Sequence, residues 1–170
     1  MAFVVKKINL DDIAGGSGTY TYEEGDDKIT LTLNSYDDRR FQKAYGLILD
    51  REKQELEAMN ATALDDAFLD NISVEDKSTG EMITRAMAKF LIRDWDAVDE
   101  DGEKLPVTGD NLLLLTASTK DPAAFIQWVF SKTVDVAVEH AESLVDTKKK
   151  PSPATSGKKT TKTSVSSKKP

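Results

Sequence analysis

The clearest pattern in the chain alternates at every second residue. In Lys28-Ile29-Thr30-Leu31-Thr32-Leu33-Asn34, positions 29, 31 and 33 fall on one side of an extended strand and the threonines on the other. Residues 19–23 (Thr-Tyr-Thr-Tyr-Glu) alternate likewise, and Glu24-Gly25-Asp26-Asp27 between the two runs has turn chemistry. The pattern predicts a β-hairpin. A two-stranded hairpin is marginal in water, so its apolar face needs a helix to pack on. Phe3-Val4-Val5-Lys6-Lys7-Ile8 reads as a further short strand, set apart by the breakers Gly15, Gly16 and Gly18.

After Asn34 the period lengthens. Ser35 with Asp38 three residues on resembles a capping box, which predicts a helix starting there. Phe41, Ala44, Tyr45, Ile48, Leu56 and Met59 follow near helical spacing, through a strongly charged interval at 50–57. A second helical piece reads from Thr62 or Leu64 to Ile72. Met82, Ile83, Ala86, Met87, Phe90, Leu91 and Trp95 then predict one helix over 80–95, stopping around Ala97 in an acidic loop closed by Gly102. Thr108 has the chemistry of an N-cap for a short helix carrying Leu112 to Leu115. Asp121-Pro122 starts a long helix to about Val145, with Ile126, Phe130, Val134, Ala137, Ala141 and Leu144 as its expected inward stripe. The fold class is α+β, mainly helical: an N-terminal β-hairpin, with a third strand if one joins it, packed on four or five helices.

Charge divides the chain in two. The net charge is −7, yet residues 147–170 hold eight lysines and no acid, which leaves −15 on residues 1–146. The first 146 residues are enough for one acidic globular domain with its own core. The Lys/Ser/Thr/Pro-rich remainder lacks the apolar residues to fold and reads as a disordered basic tail. That tail serves either to bind nucleic acid or an acidic protein weakly, or merely to keep the protein dispersed.

Several function classes find no support. Without cysteine there is no disulfide, thiolate nucleophile or Cys-bound metal. No run reaches the roughly 18 apolar residues of a membrane span, and the N-terminus lacks a signal-peptide shape. Phosphate repels an acidic surface, so no specific nucleic acid is expected as a partner. Placing Gly102 at the sixth position of an EF-hand loop puts Ala97 and Thr108 where carboxylates are required. His140 is the only histidine and has no Cys to pair with; the serines lie in no nucleophile elbow, and neither glycine cluster completes a P-loop. No catalytic, cofactor or metal residue is assigned. Trp95 and Trp128 admit two readings, as core anchors or, for Trp95, as a docking residue.

The string Phe90 to Thr108, FLIRDWDAVDEDGEKLPVT, resembles the tail assembly chaperones of long-tailed, siphovirus-type bacteriophages. In that family a helix ends in a Trp-acid pair, a D-x-x-G-x-x-x-P-(V/F)-(T/S) loop follows, and then a Leu-rich helix. Trp95, Asp96, Asp99, Gly102, Pro106, Val107 and Thr108 match, with Asn111 to Leu115 as the helix start. The resemblance implies a non-enzymatic protein of the host cell cytoplasm, absent from the mature virion. It would bind the tape measure protein and promote tail tube assembly with the major tail protein. Trp95, Asp96, Asp99, Gly102 and Pro106 become the candidate partner-binding residues. The resemblance also implies the short product of a frameshifted gene, alongside a frameshift-extended form, and an oligomer is compatible with it. Thr147-Lys148-Lys149 can be encoded by a slippery heptamer, as can the Lys-Lys pairs at 158–159 and 168–169. The competing reading is a virion structural protein, either a minor tail or a head–tail connector subunit.

Because no apolar stripe continues past Asp146, deleting residues 147–170 should leave the thermal unfolding midpoint within a degree or so of full length. A large drop in a calorimetric scan would show that the tail belongs to the fold.

Overall fold

The computed structural model describes residues 15–60 and 77–147. The strand read at residues 3–8, the helix read from Thr62 or Leu64 to Ile72, and the residues after Thr147 lie outside them. Among the described residues the order is β1 (Ser17–Glu24), β2 (Asp27–Asn34), α1 (Arg39–Asn60), α2 (Thr79–Phe90), β3 (Ile92–Trp95), α3 (Gly109–Ser118) and α4 (Pro122–Thr147). The fold class is α+β and mainly helical, with a three-stranded antiparallel sheet in the order β1-β2-β3.

The hairpin forms where the alternation places it. β1 and β2 pair from Ser17↔Asn34 to Glu24↔Asp27, leaving Gly25-Asp26 as a two-residue loop. Gly25 takes φ +68° while Asp26 keeps a negative φ, the combination of a type II′ turn. Ile29, Leu31 and Leu33 are buried. On the opposite face the hydroxyls of Thr19 and Thr32 lie 3.2 Å apart and those of Thr21 and Thr30 3.3 Å, a polar cross-strand ladder.

Among the described residues the third strand joins β2 from much further along the chain. It comes from residues 92–95, inside the stretch whose spacing predicts a single helix to Ala97. Helix α2 stops at Phe90 because Asn34 takes its last carbonyls: the Asn34 side chain donates to the Phe90 carbonyl at 2.9 Å and its backbone N–H to that of Leu91 at 2.7 Å. The chain then pairs with β2, Leu31↔Trp95 and Leu33↔Ile92, with a bulge at Arg93. One extra residue in a bulge puts Ile92 and Trp95, three apart, on the same buried face. A bulged strand thus reproduces the apolar spacing of a helix.

Two helix details also differ from the sequence reading. Ser35 does not cap α1. It is fully buried in the preceding turn, where its hydroxyl accepts the Asp37 N–H. Asp38 is the cap, its carboxylate accepting the N–H groups of Arg40 (2.9 Å) and Phe41 (3.2 Å). Along α4 the buried line is Phe125, Val129, Thr133 and Val136, on a helix packed against the sheet, α3 and the Tyr36 turn. Of the expected stripe, Ala137 is buried but Val134 is 38% exposed, and Ile126 and Phe130 are half-buried. Both lines have helical spacing. Apolarity alone ranked the wrong one first because Thr133 is polar, and its hydroxyl is satisfied by the Phe130 carbonyl at 2.7 Å.

The hydrogen bond from the Arg40 side chain, joined by the two backbone N–H groups, holds the Asp38 carboxyl below its ordinary range. A lowered folded-state pKa stabilises above the unfolded value, about 4, and the gain is lost as pH falls through the folded value. Asp38→Ala should therefore cost about 1 kcal/mol near neutrality. Urea denaturation at neutral and acid pH should show the gap from wild type narrowing in acid; a constant gap would remove the charge from this account.

Candidate functional site

The residues singled out at 95–106 are brought together in one short hairpin, and each is used to build it. Trp95 is 2% exposed, and its indole N–H donates to the Leu105 carbonyl at 2.7 Å. The indole therefore anchors the loop and offers no face to a partner. Asp96 is exposed, but its carboxylate accepts the Thr30 N–H at 2.7 Å and its own N–H returns to the Thr30 carbonyl, so it extends the β2–β3 seam. The arms then continue through Leu105 N–H to the Ala97 carbonyl and a bridge between Val98 and Lys104.

Asp99 closes the tip. One of its carboxylate oxygens accepts the N–H groups of Asp101 (3.0 Å) and Glu103 (2.9 Å), and its carbonyl accepts that of Gly102. Gly102 sits at φ +82°, where a side chain is strained although space is open around it. The Pro106 carbonyl accepts the Asn111 side-chain amide at 2.9 Å, and the Thr108 hydroxyl caps α3 through the Asn111 N–H. The D-x-x-G-x-x-x-P-x-T spacing is thus the grammar of a tight hairpin leading into a capped helix. Lys104 reaches Asp94 at 2.8 Å, and that hydrogen bond holds the Asp94 carboxyl below its usual range. The hairpin presents to solvent mostly acid, together with Lys104 and with Val98 at 56% exposure. Among the described residues no group of three or more His, Cys, Asp or Glu side chains is placed to hold a metal ion. His140 lies against Gly16, where a Cβ would stand 2.8 Å from the ring.

The surface that the sequence reading did not single out lies between α2 and α4. Ile83, Thr84 and Met87 on one helix face Ala123, Ile126 and Phe130 on the other across an apolar groove of about 650 Å³. Gly80 and Ala123 keep its walls low. Phe130 belongs also to an aromatic cluster, with ring centroids 5.0 Å from Tyr36, 6.3 Å from Phe41 and 6.4 Å from Tyr45. The groove's only signal in the sequence is that both helices have wider apolar sectors than one buried line requires.

A protein-family model, that of the YdaY prophage protein, matches residues 36–150. The chain belongs to the YdaY prophage protein family. The match takes in all four helices, β3 and the 95–106 hairpin, and so both the groove and the loop; β1 and β2 precede it. The protein is therefore phage-derived. No curated protein and no solved structure matches the chain.

Since Trp95 fills the core, Trp95→Ala should cost about 3–5 kcal/mol of unfolding free energy, and Trp95→Phe clearly less because it keeps most of the packing. Equilibrium urea unfolding reads both. A loss under about 1 kcal/mol for the alanine variant would contradict the buried placement.

Proposed function

We propose that this prophage protein is a tail assembly chaperone that binds the tape measure protein and promotes tail tube assembly, without itself being an enzyme. The observation that carries the reading is the apolar groove between α2 and α4. A tape measure protein is long, helical and apolar along its faces, and such a helix is held by laying its apolar side into a groove of this kind. Phage origin and the 90–108 resemblance support the same reading. The acidic charge would keep a tape measure protein coated with many copies dispersed.

On this reading the protein acts in the host cell cytoplasm, recruits major tail protein subunits and is left out of the finished particle. The Lys-Lys pairs after Asp146 would carry the frameshift that yields a longer form, with the body intact in both products. Codons 147–149 that form a slippery heptamer, opening into a long −1 frame, would support that part.

The test is co-expression with the tape measure protein of the same prophage. The tagged chain should capture it and hold it soluble, and Ile83→Ser or Ile126→Ser should each weaken capture about tenfold, the size of a hot-spot loss. No capture, or capture indifferent to both substitutions, would reject the groove as the site. Recovery of the chain at fixed stoichiometry in purified particles would favour a minor tail or head–tail connector subunit instead.

A further inference from the structure

The groove does not end at Phe130. One turn further along α4 stands Val134, and one turn beyond that Val138, 38% and 52% exposed. Ile126, Phe130, Val134 and Val138 thus form an unbroken ridge, each four residues from the last. At 1.5 Å per residue it runs about 18 Å, the length of three to four turns of a second helix laid beside it.

Past Lys132, which lies between Phe130 and Val134, the charge on α4 has one sign. From Thr133 to Thr147, α4 carries Asp135, Glu139, Glu142 and Asp146 and no lysine or arginine. Asp135 is paired with Lys132 at 2.6 Å, and the Tyr20 hydroxyl donates to Glu139 over 3.5 Å, while Glu142 is exposed. The Tyr20 hydroxyl itself is pushed above its ordinary pKa, by burial first and then by Glu139 and Asp135, against the opposing Lys132 ammonium 5.5 Å from its ring centroid.

Resting on the reading of the groove as the partner's site, we infer that groove and ridge together select a basic amphipathic helix: apolar residues at i, i+4 and i+7 against α4, with lysine or arginine flanks meeting the carboxylates. Apolar contact supplies the affinity, and charge decides which of many apolar helices is admitted.

The test titrates full-length protein with two labelled model helices of about five turns, sharing one leucine stripe. One has lysine at every flanking position and the other glutamate. A V134S/V138S double variant, both sites being exposed, should keep its circular dichroism and melting temperature. Binding that disappears in this variant is binding at the ridge, which separates it from glutamate-peptide contact with the basic tail. Ridge binding should favour the lysine helix about tenfold at low salt, and the preference should shrink in high salt as carboxylates are screened. Equal ridge binding of the two helices, or lysine-helix binding unchanged in the double variant, overturns the inference. Normal capture of the tape measure protein with no lysine preference would reject this chemistry and leave the chaperone reading standing. A lysine preference without capture would do the reverse.

Discussion

Strand β2 carries three of the buried residues of the core, Ile29, Leu31 and Leu33, and so sits where its backbone groups cannot turn to water on either edge. β1 serves one edge through the tight turn. The other must be served by something distant in sequence, and that need shapes the chain from Phe90 onward. Asn34 draws off the terminal carbonyls of α2, Thr30 takes Asp96 through both its N–H and its carbonyl, and the four residues between become β3. Trp95 is delivered into the core by this pairing, and the indole then fixes the return arm of the hairpin through the Leu105 carbonyl. A backbone hydrogen-bond requirement at one strand edge thus places a loop some sixty residues later.

The same constraint explains why the residues of the 95–108 motif build the fold. The chain must leave β3 at the sheet's edge and enter α3 against α2. Asp99 and Gly102 make the reversal, Pro106 and Asn111 set the angle, and Thr108 caps the helix. Arg85 of α2 meets Asp110 at 2.7 Å, and Gly109 is small enough to let that side chain pass, since a Cβ there would stand 2.7 Å from the arginine's Cγ. Residue identities in such a loop are dictated by geometry, so a resemblance confined to them speaks first to shared architecture. Function has to be argued from surfaces the architecture leaves uncovered.

Where local chemistry decides structure, the sequence was legible. The hairpin, its turn, the Asp121 cap and the Thr108 cap stand where residue type and spacing place them. Legibility failed where two periods coincide. Leu91 and Trp95 continue the helical spacing of Met87 just as well as they fit a bulged strand, and only the demand of β2 breaks the tie. On α4, Thr133 hid the buried line because its hydroxyl is satisfied within the helix. The groove was illegible for a different reason. It is a relation between α2 and α4, and each helix alone shows only a broad apolar sector that is equally suited to a core.

That breadth carries physical information once the fold is known. A helix that needed only to cover the sheet would suffice with Phe125, Val129, Thr133 and Val136 inward and could be polar elsewhere. α4 instead keeps Ile126, Phe130, Val134 and Val138 apolar on an adjoining sector, two of them exposed. Exposed β-branched residues contribute little helix propensity, and they cost solubility unless something covers them. The acidic residues that follow them along α4 offset the solubility cost while adding nothing to the core. A partly exposed apolar ridge that continues an apolar groove, with carboxylates further along the helix, is the arrangement that a binding surface for a second helix requires, and it is built from the same helix that holds the sheet in place.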